Sequence, residues 1–482
     1  MSENSKPVLS LSNINENIVK MEYAVRGPIP ARAVELIREL KAGAQLPFTE
    51  VIRANIGDCH MMGEKGITFI RQVLSACLHP EAALNDPSLP EDVKERVRTL
   101  LGACGGGSVG SYSDSAGIEI IRRHVAEYIS ERDGGVPSDW QNVVLTSGAS
   151  EGVKALFALL NSPTDGIPTG IMVPIPQYPL YSATISELGM HQISYYLDEE
   201  NEWALDINEL DRALREAEGT CKPKVLVVIN PGNPTGSVLT KENIAQIIKF
   251  ARANNLLIVA DEVYQHNIWK EGAAFFSFKQ VMAELGVKLE LASLMSASKG
   301  YMGECGIRGG YMEMEHFDPA VKAVFFKQIS ARLCSPVIGQ CAIDCIVRPP
   351  REGDPSYELF QKEKTAVLAS LKGRAQLTTS TLNSLEGVRT NPVAGAMYSF
   401  PRISIPEAAV RAAEAVGQKP DFFYVKALLE ETGICVVPGS GFGQIPGTWH
   451  FRTTILPQPD TFARMMDRFK AFHLGFLQKY QS

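Results

Sequence analysis

The run Lys224–Asn230 (KVLVVIN) is apolar almost without interruption, and it is followed by the turn Pro231-Gly232-Asn233-Pro234-Thr235-Gly236. A strand that is apolar on both faces has to be covered on both faces, which is the condition inside a parallel sheet layered with helices. Thr240 then offers a side-chain cap to a helix predicted over Lys241–Ala253. Asn254-Asn255 stops that helix, and Leu256–Ala260 reads as a second buried strand, completing a βαβ unit. Shorter copies of the pattern occur elsewhere. Asn142–Thr146 is followed by Ser147-Gly148-Ala149-Ser150 and a helical pattern over Glu151–Leu160. Gly170–Val173 ends at Pro174, and Leu289–Met295 forms another apolar run. The repetition predicts an α/β fold with a parallel sheet between two layers of helices.

From about Tyr357 the pattern changes. Helical periodicity dominates, with short strand candidates near Met397–Phe400, Ile434–Val437 and His450–Ile455. This predicts a smaller α+β domain. The Pro-rich break Pro349–Pro355 is the expected boundary. The expected division is an N-terminal segment over 1–75 that packs with the small domain, a large domain over 76–348 and a small domain over 349–482.

Composition narrows the class of function. The chain has 482 residues and a net charge of −7, which gives no electrostatic reason to expect nucleic acid or an anionic membrane as partner. The 9 cysteines are odd in number and form no CxxC pair, so a reduced intracellular protein is expected rather than a disulfide framework. The 8 histidines show no HxxxH or HExxH spacing, so no metal is expected. The N-terminus MSENSKPVLSLSNINENIVK lacks a long apolar stretch and carries acids, which argues against a leader peptide. Gly105-Gly106-Gly107-Ser108-Val109-Gly110 matches GxGxxG. It follows a helical pattern (Asp92–Leu101) rather than a strand, so a loop is expected there and not a dinucleotide site.

The chemistry concentrates in Ser296-Ala297-Ser298-Lys299-Gly300-Tyr301-Met302-Gly303-Glu304-Cys305-Gly306-Ile307-Arg308. A lysine that closes a strand among small residues can form a Schiff base to a carbonyl cofactor, and Ser296, Ser298 and Arg308 could hold that cofactor's phosphate. The segment resembles the lysine segment of the fold-type I, class I/II aminotransferases, which use pyridoxal 5′-phosphate. In a parallel sheet ligands sit at the carboxyl ends of the strands, and the other strand ends carry fitting residues. Asp261 would pair with the pyridine nitrogen, and Asn233 and Tyr264 with the ring's phenolate oxygen. The backbone N–H groups of Gly148, Ala149 and Ser150 would meet the phosphate at a helix N-terminus, and Tyr178 would stack on the ring. Arg452, in Thr448–Thr454, would clamp a substrate α-carboxylate. Each residue also has an ordinary reading. Asn233-Pro234 is a turn signal, an aspartate at a strand end commonly caps a helix, a lone tyrosine commonly packs, and Arg452 could make a surface ion pair. It is their joint order along the strand ends that points to the cofactor.

Within that family the chain resembles the alanine aminotransferases, through Tyr23-Ala24-Val25-Arg26-Gly27-Pro28, Asn55-Ile56-Gly57-Asp58, Gly110-Ser111-Tyr112-Ser113 and Ser298–Gly306. The resemblance implies a large domain with a mostly parallel seven-stranded sheet, and a homodimer with its sites at the interface. In that dimer Tyr112 would reach the partner's cofactor phosphate, and Gly57 lies in a loop that closes over substrate. The resemblance makes the expected compartment cytoplasmic, and it also implies ping-pong transfer between small amino acids and 2-oxo acids through Lys299: L-alanine and 2-oxoglutarate to pyruvate and L-glutamate. The alternatives are a lyase of the aminocyclopropane-carboxylate synthase type, a glutamate:glyoxylate aminotransferase, a transcription regulator with an aminotransferase-like domain, and a binding protein without activity. The acidic balance argues against the regulator, and the intact lysine, aspartate, tyrosine and arginine set against the binding protein. No second arginine stands out as the receptor of glutamate's γ-carboxylate.

Overall fold

The computed structural model describes residues 8–481. The first seven residues, on which part of the expectation about a leader rests, lie outside the described residues. Among the described residues no helix is long and apolar enough to cross a membrane.

Seven strands form the main sheet: β1 Val143–Ser147, β2 Thr169–Ile175, β3 His191–Tyr196, β4 Lys222–Ile229, β5 Leu257–Asp261, β6 Leu291–Ser296 and β7 Gly309–Glu315. Their order is β1-β7-β6-β5-β4-β2-β3. The pairs among β3, β2, β4, β5 and β6 are parallel, while β7 runs antiparallel to both β1 and β6. The sheet is therefore mostly parallel, as the resemblance implied. Neither β3 nor β7 has a counterpart among the strands read from the sequence. β3 (HQISYY) is polar and alternating, since it lies at the edge. β7 opens on two glycines, which mask its apolar character.

Alternation along β4 explains why that strand is apolar throughout. Val225 and Val227 point into one core, with Val153, Leu156 and Phe157 of the helix Ala149–Leu160. Leu226 and Val228 point into the other, with Ile244, Ile247 and Ile248 of the helix Lys241–Ala253. At about 1.5–3 kcal/mol per fully buried aliphatic side chain, such two-sided burial is the main force holding the layers together. The helix Lys241–Ala253 has the bounds expected for it, and the Thr240 side chain accepts from the Asn243 backbone N–H at 3.1 Å.

A separate core joins the two ends of the chain. Ile29, Ala33 and Leu36 of the helix Pro28–Lys41 pack with Leu428 and Leu429 of Pro420–Thr432, and with Phe462, Met465 and Phe469 of Pro459–Lys479. Nearby, the small strands β9 Tyr398–Ser399, β11 Val437–Pro438 and β12 Phe451–Thr454 form a three-stranded sheet ordered β11-β12-β9. It stands apart from the pair β8 Val388–Arg389 and β10 Arg402–Ile403. Gly105–Gly107 is a short 3-10 turn after a helix, as its context in the sequence required.

At β7 the packing is tight. A Cβ on Gly310 would lie 2.7 Å from the Gly148 carbonyl carbon and 3.0 Å from the Ala149 nitrogen, both backbone atoms that cannot rotate away. Gly310→Ala is expected to cost about 1–3 kcal/mol, the scale of overpacking. A denaturation midpoint equal to that of the unaltered protein would show that this approach is not constrained.

Candidate active site

The register of the sheet brings the chemistry to one edge. Asp261 ends β5 opposite Ile229, Ser296 ends β6, and Ser147 ends β1. Because β7 is antiparallel, its first residue lies at the same edge, where Ser296 pairs with Gly310 and Ser147 with Gly309. Arg308, just before β7 and in a left-handed conformation (φ 62°), is delivered there too. A cavity of about 400 Å³ opens at this edge. Its lining includes Gly57, Ala149, Ser150, Tyr178, Asn233, Asp261, Tyr264, Ser296, Ser298, Lys299, Arg308 and Arg452. Gly148 abuts it as the residue before the helix Ala149–Leu160. Of the residues singled out in the sequence only Tyr112 lies away from this cavity; it is 76% exposed.

At one end of the cavity is an anion cradle. Arg308 donates to the Ser147 carbonyl at 2.8 Å and to Ser150 Oγ at 3.2 Å. Ser298 N–H donates to Ser296 Oγ at 3.1 Å, and the two serine hydroxyls are 3.0 Å apart. Gly148 adopts φ 70°, and any Cβ there would run into the Arg308 guanidinium, so only glycine leaves this arginine its place. The N-terminal N–H groups of the helix, an arginine and two hydroxyls together make a donor set suited to a phosphate.

Across the cavity Lys299 donates through Nζ to the Gly57 carbonyl at 2.7 Å. Burial works against its ammonium, but Tyr398, Cys305 and Cys59 offset this, and the net shift of its pKa is upward. Gly57 is held as closely: a Cβ there would collide with the Tyr398 hydroxyl and lie 3.1 Å from Lys299 Nζ. Asp261 is buried, and burial pushes its carboxyl above the ordinary value against the Tyr181 hydroxyl, the Val263 backbone and Lys299. Tyr181 donates to Asp261 Oδ2 at 2.8 Å, whereas Oδ1 has no hydrogen-bond partner. An orphaned carboxylate oxygen at the floor of the cavity is what a protonated ring nitrogen would satisfy. The residues therefore fit pyridoxal phosphate: cradle for the phosphate, Lys299 for the aldehyde, Asp261 for the ring nitrogen. Burial and neighbouring phenols raise the Tyr178 and Tyr264 hydroxyls well above their ordinary values, so both remain donors at neutral pH.

Arg452 differs from the surface ion pair that its type alone suggests. On β12 it is 1% exposed and has no carboxylate partner among the described residues. It donates to Asn233 Oδ1 at 3.2 Å and to the Asn55 carbonyl at 2.6 Å, between the Tyr398 and Phe442 rings at 4.5 and 4.7 Å, and its Nε is unpaired. A buried guanidinium in neutral company is a receptor for an anion.

The comparisons agree with this geometry. A profile described as "Aminotransferase class I and II" matches residues 82–469. The chain belongs to the class I and II aminotransferase family. It is 57% identical to "Alanine aminotransferase 2" of Xenopus laevis, over 100% of this chain and 90% of that protein. It is 52% identical to "Alanine aminotransferase 1" of Homo sapiens, over 98% and 96%. Among solved structures, an alanine aminotransferase from Pyrococcus furiosus superposes with a TM-score of 0.75 at 25% identity, covering 95% of this chain and 99% of that one. An Escherichia coli aminotransferase gives a TM-score of 0.75 at 23% identity over 98% and 99%, a likeness of fold alone.

The reading of the sequence missed Tyr181 and Tyr398, and gave Tyr23, which opens one of the motifs of the resemblance, no role. Tyr181 follows Tyr178 by three positions at the start of the helix Leu180–Glu187, a spacing that could have drawn notice. Tyr398 carried no signal; it arrives on β9, where its hydroxyl meets that of Tyr264 at 3.0 Å. Tyr23 meets the Tyr178 hydroxyl at 2.9 Å. Asp261→Asn is expected to leave the protein folded and able to take up cofactor but to slow amino-group transfer by orders of magnitude, since a neutral partner no longer holds the ring cation. Single-turnover rates measure this, and a near-normal rate would reduce Asp261 to a structural role.

Proposed function

We propose that this aminotransferase interconverts L-alanine and 2-oxoglutarate with pyruvate and L-glutamate, using pyridoxal 5′-phosphate held by Lys299. The single observation that carries the reading is one cavity uniting Lys299, the orphaned Asp261 oxygen, the anion cradle and an Arg452 that has no carboxylate partner among the described residues. The names of its relatives supply the choice of alanine.

Bound there, the cofactor supplies an aldehyde for the substrate's amino group and a cationic ring that draws off the electrons of the broken Cα–H bond. The protein does the rest. Arg452 holds the α-carboxylate in a planar fork and so fixes which bond at Cα faces Lys299. Lys299 Nζ, which would hold the cofactor's aldehyde, is also the amine placed to accept the Cα proton and to return it. Asp261 keeps the ring nitrogen protonated, and Tyr181 keeps Asp261 in place. Asn233, whose Oδ1 accepts from Arg452, keeps its amide N–H groups for the ring oxygen beside the Tyr264 hydroxyl. Tyr178 lines the cavity, where its ring would stack on that of the cofactor.

We also propose that the protein works as a homodimer. Tyr112 lies exposed and away from its own chain's cavity, which suits a residue that reaches the partner's phosphate. A lyase of the same fold would use the same lysine, but the relatives' names favour transfer over elimination.

The decisive assay is formation of glutamate that requires both L-alanine and 2-oxoglutarate. Lys299→Ala is expected to abolish it while leaving the fold intact, and borohydride reduction of the unaltered protein should place the cofactor on Lys299. Label on another lysine would overturn the assignment. Arg452→Lys is expected to weaken alanine and glutamate alike, by about 2–5 kcal/mol in transition-state binding. A loss confined to glutamate would move Arg452 to the γ-carboxylate.

A further inference from the structure

Two substrates that share an α-carboxylate differ at the other end: one carries a methyl group, the other a second carboxylate. Four cations line the cavity, namely Arg26, Lys299, Arg308 and Arg452. Three already have tasks: Lys299 carries the cofactor, Arg308 belongs to the cradle, and Arg452, held by Asn233 and Asn55, receives the α-carboxylate. The Arg26 guanidinium makes no hydrogen bond or ion pair among the described residues, and the residue is exposed at the cavity wall. We infer that Arg26 receives the distal carboxylate of the dicarboxylic substrate. This inference rests on the transaminase reading above.

The backbone of Arg26 is fixed although its side chain is free. Residues Ala24–Arg26 form a 3-10 turn closed by hydrogen bonds from Arg26 N–H to the Tyr23 carbonyl and from Gly27 N–H to the Ala24 carbonyl, each 3.0 Å. Pro28 then starts a helix at once. Ala24 lies so close to Gly441 that a Cβ on that glycine would strike it. Ala24 and Val25 pack on Trp203, Phe400, Val437 and Phe442, and Phe442 is also the ring that backs Arg452 at 4.7 Å. One aromatic layer therefore sets the turn that carries Arg26 against the anchor for the α-carboxylate. On the other side, the Tyr23 hydroxyl meets Tyr178.

Exposure is what the double specificity needs. A buried cation would be left without a partner whenever alanine is bound, at a large desolvation cost. An exposed arginine stays hydrated beside a methyl group and pairs only when a second carboxylate arrives. Asp58 also lines the cavity, with Oδ1 accepting from the Met61 N–H at 3.0 Å, and its charge disfavours a distal carboxylate beside it.

The test uses holoenzyme and measures each half-reaction alone: L-alanine, pyruvate, L-glutamate and 2-oxoglutarate. In Arg26→Ala, kcat/KM is expected to fall roughly 10- to 100-fold for glutamate and 2-oxoglutarate, as for loss of a charge pair to substrate, and to change less than about threefold for alanine and pyruvate. Arg26→Lys, which keeps the charge and loses the fork, should fall between. Equal losses for both pairs, or none for either, would overturn the assignment while leaving the transaminase reading intact. Wild-type enzyme that converts neither alanine nor glutamate would instead overturn the reading itself.

Discussion

Two charges buried without a counter-ion, Asp261 and Arg452, govern this structure. Each has only neutral hydrogen-bond partners in the protein and one atom left unsatisfied. Such groups cost several kcal/mol in an isolated chain and persist because the surrounding core over-determines their positions. Their incompleteness is the basis of binding, since a ring cation completes one and a carboxylate the other.

The fold tolerates that cost by dividing the work. The sheet, buried on both faces, is rigid and supplies Asp261, Ser296 and the cradle from adjacent strand ends in register. The small sheet supplies Arg452 and Tyr398 from the opposite wall. Aromatic side chains join the two parts. The Tyr264 and Tyr398 rings meet edge to face at 5.8 Å, and Trp203 packs on Phe400 at 5.9 Å. A polar group placed between such surfaces is screened from bulk water, which strengthens its field at the reacting atoms. Around Gly57, Gly148 and Gly310 the spacing leaves no room for a side chain, so precision there comes from what is absent.

Much of the fold was legible because burial on both faces leaves an unmistakable apolar run. β4, β5 and the helix between them, with its Thr240 cap, could be read almost residue by residue. β3 and β7 could not: an edge strand needs no continuous apolar run, and glycines give no pattern. Lys299, Asp261 and Asn233 could be read from strand ends, because the end of a parallel strand is where a ligand must lie. Arg452 was legible only through its family pattern, since nothing nearby in sequence distinguishes a buried anion receptor from a surface ion pair.

The sequence by itself determined the parallel core of the sheet, its helical layers and the chemical types gathered at its edge, because these follow from local periodicity and from short motifs. Only the tertiary structure decided which groups are left unsatisfied. Tyr181 takes one oxygen of Asp261 and leaves the other, and Tyr398 reaches Tyr264 across 134 positions of chain. Of the four cations lining the cavity, Arg26 is the one whose side chain makes no hydrogen bond among the described residues. Hydrogen-bond satisfaction is a sum over all neighbours in space, and most of those neighbours are distant in the chain.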